Sequence, residues 1–138
     1  MKPTKEELTT FLRTEFPQSK SIILDVGEMS ATVKYPVDQS SLRPGGTVSG
    51  PVMMTLADVT LYIAVLGEIG IVPLAVTTNL SINFLRKPAA GKDIIGVCKL
   101  LKLGKSLAVG EVSIYSEGSD DVVAHATGTY SIPPWKNT

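Results

Sequence analysis

One run in the middle of this chain constrains its fold more than any other. From Pro51 to Gly67 the sequence reads PVMMTLADVTLYIAVLG, in which 12 of 17 residues are apolar and only Asp58 is charged. Pro51 suits the first turn of a helix, where a missing N–H costs nothing, and Ser49 or Gly50 can serve as the cap. A helix that is apolar around most of its circumference must be covered around most of it. Asp58 and Glu68 interrupt the run, and the uncharged stretch leading into it, Pro44 to Ala57, is 14 residues, too short for a bilayer. The helix is therefore read as buried in protein. With 138 residues in all, one domain has to supply the cover.

The rest of the chain is mostly strand pattern. Residues 4–16 predict a short amphipathic helix, with Leu8, Phe11 and Leu12 on one face and Pro17 as its stop. Residues 20–27 and 29–35 predict two strands joined by a turn around Gly27 and Glu28. Residues 37–50, VDQSSLRPGGTVSG, are dense in Ser, Gly and Pro and predict a loop. After the long helix only strands follow. Residues 74–86 alternate Leu80, Ile82 and Phe84 with Asn79, Ser81 and Asn83, and 93–103, 106–116 and 122–132 are rich in Val, Ile and Leu. The connections between them are short, which predicts antiparallel neighbours. One buried helix with five or six strands predicts an α+β domain whose antiparallel sheet curls around the helix. A ferredoxin-like layout needs two long helices after the first strand, and only one is present.

Composition removes several functions. Hydrophobic residues are 43% and charged residues 19%, which excludes disorder over the whole length. Lys plus Arg and Asp plus Glu are 13 each, so the chain lacks the basic excess of a general nucleic-acid binder. Cys98 is the only cysteine and His125 the only histidine, so neither a disulfide framework nor a clustered-histidine zinc site can be built within one chain. The N-terminus is charged at helical spacing and has no secretory apolar region, which makes a reducing, cytoplasmic setting the expectation. No G-x-S-x-G elbow or phosphate loop occurs; Gly45 to Gly50 has the wrong spacing and no following Lys. A Cys98–His125 dyad is arithmetically available, but both residues lie in apolar strand-like runs, where they usually pack.

Two segments together carry a resemblance. Gly46-Thr47-Val48-Ser49-Gly50-Pro51-Val52-Met53-Met54-Thr55-Leu56-Ala57-Asp58, followed by Asn79-Leu80-Ser81-Ile82-Asn83-Phe84-Leu85-Arg86-Lys87-Pro88, resembles the hotdog-fold acyl-CoA thioesterases of the phenylacetyl-CoA thioesterase (PaaI-like) type. The similarity in layout covers about residues 40–132. It implies a helix wrapped by an antiparallel sheet, homodimers whose two sheets join, and often homotetramers made of two dimers. It implies an acyl-CoA substrate and neither metal nor cofactor, since coenzyme A is part of the substrate. The chain departs from the family in two places. Ser49-Gly50-Pro51 stands where relatives usually have His-Gly-Gly, and Arg43 stands where they usually carry an amide residue seven before the glycine. These departures bear on how water is held and which acyl group fits, more than on the reaction class.

Each candidate has a plain structural reading beside the functional one. Asp58 sits inside an apolar helix, where an unpaired carboxylate is costly. The structural alternative is a polar stripe of Thr55, Asp58 and Tyr62 facing solvent. The resemblance implies that Asp58 is the site carboxylate, as general base or as nucleophile. Gly50 caps the helix, and its N–H also points from the positive helix end towards a developing oxyanion. Thr77 is a common strand residue; aligned through Ile82-Asn83-Phe84-Leu85 it falls where some relatives hold a hydroxyl beside the attacking water. Arg43, Ser49, Thr78 and Asn79 are implied substrate contacts, and Tyr62, Met53 and Met54 are read as lining the acyl pocket. Residues 86–105 carry Arg86, Lys87, Lys92, Lys99, Lys102 and Lys105 against the single acid Asp93. That excess is either a lysine-protected sheet edge or a landing area for coenzyme A phosphates, with Arg86, Lys87 and Lys105 as the contacts.

The expected activity is hydrolysis of an acyl- or aryl-acyl-CoA to the acid and free coenzyme A. A non-catalytic acyl-CoA-binding module is the alternative, and a dehydratase ranks third because it needs a histidine beside the acid. Gly50 and Asp58 are eight residues apart, about 12 Å along one helix axis. One thioester carbon cannot easily meet both. Two helices packed antiparallel about a two-fold axis can present the glycine of one subunit to the acid of the other. The expectation is a homodimer with two shared sites.

Overall fold

The computed structural model of the chain describes residues 2–134. In chain order the elements are α1 (Lys5–Glu15), β1 (Ile22–Gly27), β2 (Ser30–Tyr35), α2 (Gly50–Ile69), β3 (Val76–Phe84), β4 (Ile94–Leu103), β5 (Leu107–Ser116) and β6 (Val122–Ser131). The six strands form one antiparallel sheet in the order β1-β2-β4-β5-β6-β3. The sheet winds around α2, which is the hotdog arrangement.

The helix ends follow from local chemistry. At α1, Thr4 and Glu7 exchange hydrogen bonds: the Thr4 N–H donates to Glu7 Oε1 at 2.9 Å, and the Glu7 N–H donates to Thr4 Oγ1 at 3.1 Å. Ser49 caps α2 by accepting from the Val52 N–H at 3.4 Å, and Gly70, with φ of 97°, ends it. The loop before α2 is ordered by a short 3₁₀ turn, Gln39–Ser41, and by a bridge between Leu42 and Val48. α2 runs past the expected Gly67 because Glu68 is not a stop. Its carboxylate accepts from the Met29 N–H at 2.9 Å and pairs with Lys2 at 2.9 Å, so it clamps the β1–β2 turn to the helix end.

By length and composition alone α2 could cross a bilayer, yet most of it is buried by the sheet. Leu56, Leu61, Ile63, Val65 and Leu66 are fully enclosed. The fit depends on glycines on the inner face of the sheet. Gly110 and Gly128 are cross-strand partners, and a Cβ on either would lie 2.6 or 2.7 Å from the Leu61 methyl groups. Here α2 approaches the sheet more closely than any side chain would permit. Bulges in β1, β3, β4 and β6, where register shifts occur, add the twist that closes the sheet on the helix.

One connection differs from expectation. β3 and β4 are consecutive and joined by a short segment, but they are not neighbours: β3 pairs with β6, and β4 with β2 and β5. The linker crosses the ends of β6 and β5, where Leu85 and Arg86 donate to the Val123 carbonyl and Ala89 donates to Ser116 Oγ. Those bonds satisfy its backbone, so a chain of hairpin length serves as a crossover. β3 is thereby left at the edge.

Candidate active site

The sheet covers α2 on all but one face. Thr55, Asp58, Val59 and Tyr62 fall at helical spacing on that face and form the floor of a cleft of about 710 Å³. One wall is the end of α1 and the segment after it. The other is the start of β3 backed by Tyr130 of β6. The polar stripe expected of Thr55, Asp58 and Tyr62 exists, but it lines a cleft instead of an open surface.

Two hydroxyls converge on one oxygen of Asp58. Thr77 Oγ1 donates to Asp58 Oδ1 at 2.5 Å, and the Tyr130 hydroxyl donates to the same oxygen at 2.8 Å while standing 3.2 Å from the Asp58 carbonyl oxygen. Thr77 and Tyr130 are register partners on β3 and β6, which is why both reach the same atom. Burial, with the Asp58 carboxylate beside it, pushes the Tyr130 phenol well above its ordinary value, so it remains a protonated donor. Among the described residues no hydrogen bond reaches Asp58 Oδ2. One oxygen of the carboxylate is held, and the other is available to a water or to a substrate carbon. Tyr62 is buried beside it, its ring 5.8 Å from that of Tyr130 and its hydroxyl donating to the Pro73 carbonyl at 3.2 Å.

Gly50 lies elsewhere. It is packed under Phe84, whose Cζ would be 3.2 Å from a Cβ at that position. Pro51 has no N–H, and those of Val52 and Met53 bond Ser49 Oγ and the Ser49 carbonyl. The Gly50 N–H is thus the donor of the first turn with no acceptor inside the helix. Thr77 marks Asp58 and Phe84 marks Gly50, so β3 runs antiparallel to α2 with the carboxylate near its start and the free N–H near its end. One chain does not bring them together.

The remaining candidates separate in the same way. Ser49 is occupied as the helix cap, and Arg43 is exposed in the turn where its N–H bonds the Thr47 carbonyl at 2.8 Å. Thr78 is the extra residue of the β3 bulge; its hydroxyl donates to the Thr129 carbonyl at 3.3 Å, away from Asp58, and Asn79 is exposed next to it. Met53 is buried in the core and Met54 is exposed, and neither lines the cleft, so of the three expected pocket residues only Tyr62 does. Arg86 and Lys87 follow the end of β3, whereas Lys105 sits in the β4–β5 turn at the level of the β3 start. The expected basic landing area is not one patch within a chain.

The Cys98–His125 dyad does not form. Cys98 faces the helix with its thiol pushed up to about 12 by burial, while His125 is half-exposed on the outer face with its Nε2 2.9 Å from Glu111 Oε1. Among the described residues no group of three or more His, Cys, Asp and Glu side chains could hold a metal ion. Tyr130 is the site residue that sequence reasoning missed. Only the β3–β6 pairing marks it, as the residue opposite Thr77.

Comparison with known proteins identifies the family. Residues 45–123 match the Thioesterase superfamily. Among solved structures, a candidate thioesterase of Silicibacter sp. TM1040 is 47% identical, with a TM-score of 0.88 over 95% of this chain and 92% of that one. The E. coli PaaI protein of the phenylacetic acid degradation operon is 22% identical, with a TM-score of 0.80 over 94% of each chain. A Streptococcus pneumoniae TIGR4 thioesterase-like protein solved with coenzyme A is 21% identical, with a TM-score of 0.80 over 93% of this chain and 98% of that one. The chain belongs to the Thioesterase superfamily, as a thioester hydrolase on the hotdog fold.

Proposed function

We propose that the protein hydrolyses an acyl- or aryl-acyl-CoA to the carboxylic acid and free coenzyme A, in sites shared between two subunits. The observation that carries this reading is the pair of hydroxyls on Asp58 Oδ1. A half-buried carboxylate fixed at one oxygen and open at the other is built to take a proton from water or to attack a carbonyl carbon. As general base, Asp58 Oδ2 takes the proton of a water as its oxygen bonds the thioester carbon. A backbone N–H stabilises the resulting oxyanion. The intermediate then collapses, the C–S bond breaks, and the proton returns to the coenzyme A sulfur. As nucleophile, Oδ2 bonds the carbon directly, the thiolate leaves, and water opens the anhydride. Thr77 and Tyr130 orient the carboxylate in either course.

The oxyanion donor comes from the second subunit. β3 is an edge strand with Asp58 near its start and Gly50 near its end. A second copy pairing antiparallel along β3 sets the end of its strand beside the start of this one. The partner's Gly50 then approaches Asp58, and the reverse holds at the other site. The same pairing carries the partner's Arg86 and Lys87 to the end of the sheet that holds Lys105. The three cations separated in one chain therefore converge across the interface, where they suit the phosphates of coenzyme A. The pneumococcal relative solved with coenzyme A supports that ligand class.

The test is release of free thiol from a panel of short, medium and aromatic acyl-CoAs, followed with a thiol reagent. Turnover of at least one class is expected. Coenzyme A binding without turnover of any would leave a binding module instead.

A further inference from the structure

The lining of the cleft is of two kinds. The wall that follows α1 carries Gln18, Ser19 and Lys20, the last bonded to Asp38, whereas Leu12 and Phe16 on the same wall are apolar, and the Phe16 ring stands against Tyr62 of the floor. The Tyr62 hydroxyl is already spent on the Pro73 carbonyl, so its ring presents an apolar surface. Phe16 ends α1, since Pro17 stops the helix, and its ring stands edge-on to Tyr62 at 6.0 Å and to Phe11 at 6.0 Å. Tyr62 in turn lies 5.8 Å from Tyr130, whose hydroxyl holds Asp58. Phe16 is therefore two ring spacings from the phenol at the reacting group. It is 45% exposed in spite of its aromatic neighbours, a large apolar surface left facing the cleft.

We infer that Phe16 is the end wall of the acyl site and sets the longest acyl group the enzyme accepts. This rests on the thioesterase reading. With the thioester carbon at Asp58, an apolar acyl group runs to the aromatic end, and each methylene buried on the way strengthens binding. The polar side chains of Gln18, Ser19 and Lys20 offer it nothing. A chain long enough to meet the Phe16 ring has to displace the end of α1, which is held by Phe11, Leu8 and Leu12 in the core.

A series of saturated acyl-CoAs of increasing length tests this on the whole protein. In the wild type kcat/KM is expected to rise about fourfold per methylene until the wall is met. It should then fall about tenfold, as overpacking costs set in. Phe16→Ala should move that break to chains at least two carbons longer, and Phe16→Trp should move it to shorter ones. Chains that stop short of the wall should change less than twofold in both. Phe16→Leu replaces Phe16→Ala if the alanine variant does not melt cooperatively. A break at the wild-type length in these variants, or an equal loss at every length, overturns the inference. If the wild type hydrolyses no chain, the thioesterase reading fails by itself. Calorimetric affinities for the same series then decide on Phe16 by the same displacement or lack of it.

Discussion

The two edges of the sheet are built on opposite plans. β1 is short, carries Asp25, bends at a bulge, and has α1 packed against it with Leu8, Phe11 and Leu12 buried. These are the devices by which an edge strand is kept from pairing with another chain. β3 has almost none of them. It is nine residues long, has no charged residue from Val76 to Phe84, and leaves Val76, Phe84 and the adjoining Leu85 half-exposed. It also carries Thr77 and packs on Gly50. The guarded edge is scaffold. On the function proposed above, the open edge is where a second copy would supply the half of the site that one chain lacks.

The comparison breaks most visibly if a charge on either edge has the same effect. Ser81 is exposed midway along β3, and Leu24 is exposed on β1. Ser81→Glu sets like charges close together across the two-fold axis, and the dimer is expected to dissociate with nearly all activity lost and a cooperative melt kept. Leu24→Glu should leave mass and turnover unchanged. Sedimentation with thiol release reads both. Asp58→Asn keeps shape and removes the base, and should lower kcat about 10²-fold or more with the melting temperature preserved.

Smaller effects sharpen which groups serve the carboxylate. Tyr130→Phe removes one of the two bonds to Oδ1 and should cost about tenfold in kcat, with KM nearly constant. Thr77→Ser should restore most of what Thr77→Ala loses, because only the hydroxyl is needed. A rise in KM with kcat unchanged would place these residues in binding instead. Smallest is the effect of replacing Arg86, Lys87 and Lys105 together. KM for acyl-CoA should rise several-fold and lose salt dependence, while an acyl-pantetheine without the nucleotide is nearly unaffected. Equal losses on both substrates would leave these cations as edge protection only.

How much of this was legible in the sequence divides along the same line. The apolar run with its single acid, the strand alternation and the capping residues are local signals, and the elements they predict agree with the structure within a few residues. Asp58 stood out because a lone charge in such a helix needs a reason. What local pattern could not carry was adjacency. A linker of hairpin length conceals that β3 crosses to β6, and without that pairing Tyr130 is only one more strand aromatic. Met53 and Met54 failed as pocket residues because the direction of each side chain depends on which arc of α2 the sheet leaves open. The basic residues looked continuous along the chain, but the length of β4 carries Lys105 to the opposite end of the sheet from Arg86 and Lys87.

Shared sites are the central claim, and mixing two inactive variants tests them directly. Gly50→Pro removes the N–H with little backbone cost, since Ser49 is already extended, with ψ of 153°, as the residue before a proline must be. Asp58→Asn removes the acid. Dissociated, combined in equal amounts and reassociated at random, the two variants form mixed dimers in about half of the population, each with one intact site. Activity is expected to return to about a quarter of wild type. If both groups served the same site from one chain, every site would keep a lesion and mixing would restore nothing.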